Sequence, residues 1–70
     1  MTYEQFKSDI FSKIKQRPKF IRKGQAIFNL VSDMYGVART VQFEDGIDCF
    51  YDDKYIEDFL TACYNRIPKQ

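Results

Sequence analysis

The stretch that decides the fold is RKGQAIFNLVSDMYG, residues 22–36. Its apolar side chains recur at the spacing of one helix face, at Ile27, Leu30, Val31 and Met34. Gly36 follows them at the position where a glycine with positive φ commonly ends a helix. The stretch therefore predicts an amphipathic helix from residue 22 or 24 to residue 35, whose apolar face needs a cover.

The segment before this helix predicts a second amphipathic helix, from about residue 3 to residue 15. Its apolar side chains form one stripe, made of Tyr3, Phe6, Ile10 and Ile14. Thr2 and Gln5 fit the capping box, in which each side chain binds the backbone N–H of the other residue. Pro18 sets the limit beyond which this helix does not continue.

A third helix is predicted from about residue 54 to residue 66. Its apolar face consists of Ile56, Phe59, Leu60, Cys63 and Ile67. Asp52 or Asp53 is suited to cap its first turn, and Pro68 follows its end. Its stripe is of the right length to pack against the other two.

The segment 37–43 allows two interpretations, a strand or a short helical turn. A strand here has no partner elsewhere in the sequence, and an isolated strand is unstable. We therefore favour a short helix or an irregular crossing. The prediction is an all-α protein, a single domain over residues 1–70 that forms a small three-helix bundle with an irregular or short-helical link before the last helix.

The composition excludes more chemistry than it suggests. Seven Phe and five Tyr among 70 residues indicate a packed core, and the absence of His removes imidazole catalysis and His metal ligands. Cys49 and Cys63 are too few and too widely spaced for a zinc site, and we expect free thiols. An EF-hand loop counted from Asp45 lacks an oxygen ligand at Ile47, its third position. We expect no enzyme activity, cofactor or metal.

No membrane segment is expected either. The longest apolar run is three residues, 26–28, whereas a membrane span needs about 20. The first residues lack the basic and apolar regions of a signal peptide. We therefore expect a soluble cytoplasmic protein without a membrane partner.

The net charge of +1 hides two oppositely charged segments. A basic segment, residues 13–23, contains six bases and no acid: Lys13, Lys15, Arg17, Lys19, Arg22 and Lys23. An acidic segment, residues 44–58, contains seven acids and one base; the acids are Glu44, Asp45, Asp48, Asp52, Asp53, Glu57 and Asp58. Solvation or mutual contact of the segments is the favoured interpretation; protein binding and nucleic-acid binding are the alternatives.

The start of the second helix indicates a close contact. Gly24 weakens a helix by roughly 0.5–1 kcal/mol relative to Ala, so it implies a special backbone angle or the close approach of another element. Asn29, if buried, needs a hydrogen-bond partner. We predict that the loop 48–53, anchored by Phe50 and Tyr51, packs at this corner and that Arg22 meets an aspartate of the loop.

The sequence resembles a group of short proteins common in phages and prophages. The pattern is Arg-x-Gly-Gln-x-x-Phe-Asn at residues 22–29, followed by Asp-x-Phe-Tyr-Asp-Asp at 48–53 and Ile-x-x-Phe-Leu at 56–60. The resemblance covers residues 22–60, and Cys49 stands where such proteins often have Pro. It implies a phage or mobile-element setting, in which small accessory proteins commonly bind host proteins, and it implies no residue roles.

These observations predict a small non-enzymatic protein that binds a host or phage macromolecule, in the host cytoplasm if it is phage-encoded. The protein-contact candidates are rings and carboxylates near the acidic segment: Phe43, Asp48, Phe50, Tyr51 and Asp52. The alternative is a nucleic-acid-binding module that uses the six bases of the basic segment. Self-association remains open.

Overall fold

The structure, a computed structural model, describes residues 1–68 of the chain. Its α-helices are α1 (Tyr3–Ile14), α2 (Lys23–Tyr35), α3 (Ala38–Thr40) and α4 (Ile56–Arg66). A π-helical turn, Val41–Asp45, continues α3, and a 3₁₀ turn, Asp53–Tyr55, precedes α4. No strand occurs among these residues. The predicted all-α bundle with a short-helical link is confirmed.

Helix α1 has local hydrogen bonds at both of its ends, and the sequence predicts the capping box at its start. Gln5 N donates to Thr2 Oγ1 at 3.1 Å, and Thr2 N donates to Gln5 Oε1 at 2.8 Å, which completes the predicted capping box. The helix ends at Ile14, whose backbone carbonyl accepts a hydrogen bond from Arg17 Nη1 at 3.1 Å. The chain has thus left the helix before Pro18, as predicted.

Helix α2 has the predicted bounds but a rotated buried face. Ile27 and Val31 are fully buried, whereas Leu30 is half-buried and Met34 is 42% exposed. Phe28 is buried, and its ring stacks on Phe59 of α4 at 5.5 Å. The face predicted from spacing alone was therefore wrong at Met34, because α4 and the loop before it cover the side of α2 that carries Phe28.

The link between α2 and α4 is helical and buried on one side. Gly36 ends α2 with a φ of 70°, and its N–H donates to two carbonyls of the last turn. Ala38 and Val41 then bury fully against the bundle. The favoured short helix at 37–43 is confirmed, and the π-helical turn leaves Phe43 79% exposed.

The core lies where the three long helices meet. The whole predicted apolar face of α4 is buried, and so are Phe6, Ile10 and Ile14 of α1. Aromatic contacts join the helices at both ends of the bundle: Phe6 meets Tyr35 at 5.5 Å, and Phe28 meets Phe59. Both thiols are buried and free. This core fixes the three helices against one another and leaves the loops to form the surfaces.

Gly24 permits the closest approach in the molecule. Its N–H donates to Asp53 Oδ1 at 2.9 Å, and its carbonyl accepts from Cys49 Sγ at 3.3 Å. A Cβ atom at this position would lie 2.0 Å from the Cys49 backbone oxygen. The predicted packing of the 48–53 loop on the start of α2 is confirmed. This packing requires that residue 24 has no side chain.

At that corner the condition stated for Asn29 is not met, and the contact of Arg22 was predicted wrongly. Asn29 is exposed, because it lies on the side of α2 that faces water, and it needs no partner in the loop. Arg22 binds the backbone carbonyl of Phe50 through Nη2 and forms no ion pair with Asp48 or Asp52. Both aspartates already accept from backbone N–H groups of their own loop, which leaves the carbonyl as the acceptor within reach.

Substitution of Gly24 tests the close approach. We expect Gly24→Ala to lower the free energy of unfolding by about 3 kcal/mol, because the new methyl group must displace backbone. Gly46→Ala is the matched control: its φ of 68° costs about 1 kcal/mol, but nothing lies within 4 Å of the added atom. Urea unfolding of both variants measures the difference, and an equal or larger loss for Gly46→Ala contradicts the packing.

Candidate functional site

Four of the five predicted protein-contact residues lie on one loop. Asp48, Phe50, Tyr51 and Asp52 belong to the segment between the π-helical turn and the 3₁₀ turn, and Phe43 lies on the π-helical turn itself. Asp48 connects the two elements: Oδ1 accepts from Phe50 N and Oδ2 accepts from Gln42 Nε2, both at 2.7 Å. Loop and turn therefore form one continuous surface, which we call the acidic surface (residues 42–58).

The two rings of the loop have different roles. Phe50 is half-buried, and the edge of its ring meets Phe28 at 5.5 Å and 87°. Tyr51 packs on Phe50 at 4.9 Å but remains 77% exposed. Phe50 thus anchors the loop to α2, and Tyr51 is the ring that the anchored loop presents to solvent.

An open cleft crosses the acidic surface. It has a volume of about 380 Å³ and is lined by Gly46, Ile47, Asp48, Tyr55 and Asp58. Tyr55 is 42% exposed, and Asp58 forms no hydrogen bond or ion pair with residues 1–68. Tyr55 was not predicted as a site residue, and Asp58 was predicted only as one charge of the acidic segment; their i, i+3 spacing at the start of α4 was the available signal.

The acidic surface keeps most of its charge. Four of the seven acids form ion pairs, Glu57 with Lys7, Asp52 with Lys54, and Glu44 and Asp45 together with Arg66. The other three, Asp48, Asp53 and Asp58, form no ion pair with the described residues. Seven carboxylates thus face three bases, and the surface remains negative.

The basic segment is not neutralised by the acidic one. Within residues 1–68 no ion pair joins the two segments, and Lys13 pairs with Asp9 of its own helix. Arg17 binds the carbonyls of Ile14 and Ile21, and Arg22 binds that of Phe50. Lys23 lies 5.9 Å from the centre of the Phe11 ring. The mutual pairing that the sequence left open is not formed, and the segments meet only through Arg22.

The described residues offer little for catalysis or metal binding. Burial raises the pKa of both thiols, Cys49 and Cys63, to about 12. No three His, Cys, Asp or Glu side chains of residues 1–68 come together as metal ligands. No helix in this range is long and apolar enough to cross a bilayer.

Comparison of the chain with protein-family models, with curated proteins and with solved structures gives no match. The surfaces described above are therefore the basis of the functional argument.

Two ion pairs make stability sensitive to acid. Arg66 holds the pKa of Asp45 below its ordinary 3.8, and Lys7, with Tyr3, holds that of Glu57 below 4.5. A carboxyl group with a lowered folded-state pKa stabilises the fold above its unfolded pKa and loses this effect as the pH falls. We expect the Tm to decrease as the pH is lowered below about 4.5. The decrease should be less steep in the variant Asp45→Asn, Glu57→Gln.

Thermal unfolding between pH 2.5 and pH 7 measures this slope. Asp58→Asn is the matched control, because it removes a carboxylate of the same surface that forms no ion pair. If the Tm of the double variant decreases with falling pH as steeply as that of the control, the two ion pairs are not the source of the acid sensitivity.

The buried thiols are expected to resist modification. At pH 8 a pKa of about 12 leaves a thiolate fraction about a thousandfold below that of an unperturbed cysteine. Ellman's reagent should find no reactive thiol in the native protein and two per chain in guanidinium chloride. Fast reaction of either thiol in the native state contradicts its burial; Cys63→Ser identifies which one reacts.

Proposed function

We propose that this protein acts by binding another protein through the acidic surface, with Tyr51 and Phe43 as the contact rings. The observation that carries the proposal is the exposure of these rings, 77% for Tyr51 and 79% for Phe43, on one continuous surface outside the core. Aromatic side chains dominate the energy of many protein interfaces, because they bury a large area for few rotatable bonds.

The anchoring of the loop supports this function. Tyr51 follows Phe50, whose ring packs on Phe28 and whose N–H binds Asp48. The backbone on both sides of Tyr51 is thereby held in place, so a partner does not have to order it on binding. A preordered contact loses less entropy, which increases affinity at equal contact area.

The charge of the surface indicates a partner with a basic surface. Seven carboxylates face three bases here, and complementary charge increases the rate of encounter and the specificity. The cleft is suited to a lysine or arginine side chain, whose cation would contact the carboxylates of Asp48 and Asp58; the Tyr55 ring already has Lys54 Nζ 5.1 Å from its centre. A second copy of this chain, through its basic segment, is the alternative partner.

We also propose a class for this protein and a cellular setting. We infer a non-enzymatic protein, since the chain contains no His and both of its thiols are buried. The resemblance of residues 22–60 to short phage proteins supports a cytoplasmic setting with a host or phage protein as the partner.

Capture from nuclease-treated cell lysate tests the proposal. We expect the immobilised wild-type protein to retain a basic partner that is lost from the variant Phe43→Ala, Tyr51→Ala. Phe20→Ala is the matched control, because it removes an equally exposed ring from the basic segment and should leave capture unchanged. Circular dichroism should show all variants folded, since these rings lie outside the core.

Two results contradict the proposal: no partner above background, or equal capture by the double variant. Sedimentation equilibrium of the purified protein tests whether a second copy of this chain is the partner. A concentration-dependent dimer that the double variant does not form assigns the surface to self-association instead of a different protein.

A further inference from the structure

The loop between α1 and α2 is tied down at both ends. We call residues 15–22 the Phe20 loop. Arg17 lies at its centre: Nε donates to Ile21 O at 3.0 Å, and Nη1 donates to Ile14 O at 3.1 Å. Ile21 N donates to Pro18 O at 3.0 Å, which closes the turn that carries Phe20. These bonds satisfy the loop backbone without any contribution from the Phe20 ring.

Phe20 is the most exposed large apolar side chain of the described residues, at 83%. Its neighbour Ile21 is partly buried against the core, so Phe20 is exposed although the adjacent residue is packed. The ring could be replaced by a polar side chain without loss of packing. The turn therefore holds an unpacked ring in water, where a ligand that reaches the loop can contact it.

The ring lies among cations that the fold leaves unneutralised. Of the six bases in residues 13–23, Lys13 alone forms an ion pair with the described residues. Lys15 and Lys19 form neither ion pair nor hydrogen bond there, and Arg22 and Lys23 contact a carbonyl and a ring, which leaves their charge intact. Because the segment contains no acid, the surface around Phe20 is positive although the whole chain is nearly neutral.

We propose that the Phe20 loop binds single-stranded nucleic acid. Lys15, Lys19, Arg22 and Lys23 contact phosphates, and an unpaired base stacks on the Phe20 ring. A single strand uses both features of the loop, because its phosphates meet the cations and its unpaired bases stack on the exposed ring; an acidic protein is the occupant that oligoglutamate represents in the test below. A duplex would use the cations too, but its bases are already stacked. This inference does not depend on the proposed protein-binding function, which uses the opposite charge and other rings.

The expected binding is moderate and strongly salt-dependent. With a net charge of +1 the chain gains little long-range attraction, so affinity comes from the local contacts. Four phosphate contacts to a single strand predict a fall in affinity of about 50-fold between 50 and 200 mM salt. Loss of one stacking ring typically weakens such binding by about 10-fold or more.

Fluorescence anisotropy with a labelled 20-nucleotide oligothymidine tests the inference. We expect binding at 50 mM salt that weakens about 10-fold in Phe20→Ala and at least as much in Lys15→Gln, Lys19→Gln. The matched control is Phe43→Ala, which removes a ring of similar exposure from the acidic surface and should bind like the wild type. Thermal melts confirm that the variants are folded.

Two further probes decide the class of ligand. A duplex of the same length should bind more weakly than the single strand, and a labelled oligoglutamate of equal charge should bind at least 10-fold more weakly. The inference is overturned by any one of four results: no binding of oligothymidine at 50 mM salt, equal binding by Phe20→Ala, equal or tighter binding of the duplex, or equal or tighter binding of oligoglutamate.

Discussion

The contact between Gly24 and the segment 49–53 is the constraint on which the rest of the structure depends. It brings two backbones together at a distance that no side chain at residue 24 would allow. Asp53, which binds Gly24 N, is also the first residue of the 3₁₀ turn that leads into α4. The position of α4 against α2 therefore follows from this contact, and the stacking of Phe28 on Phe59 depends on it.

The same corner determines how the two charged surfaces are related. Arg22 belongs to the Phe20 loop, yet its guanidinium binds the carbonyl of Phe50 beside Tyr51. The basic and acidic surfaces therefore adjoin at this hydrogen bond, and no ion pair among residues 1–68 joins the charges of one to those of the other. A nearly neutral protein can in this way present two faces of opposite charge without internal cancellation.

Periodicity predicted the helices well and the surfaces less well. The stripes of α1 and α4 were confirmed because each helix buries one face, so that spacing alone identifies it. In α2 the buried face depends on how the loop 48–53 packs, so Met34 was misplaced. Residues 55 and 58 come to line a cleft only through the path of residues 46–48, which no local pattern specifies.

The π-helical turn gives the link a property of its own. A π-helical turn has one more residue between its hydrogen-bonded groups than an α-helical turn. Here it follows α3 without interruption, so residues 38–45 form one helical segment whose last turn is wider than the rest. The direction of the Phe43 ring therefore depends on the number of residues in this turn. Removal of one residue before Phe43 would restore the α-helical period and rotate the ring about the helix axis by about 100°. A change in the length of this turn would thus reorient an exposed ring through the backbone alone.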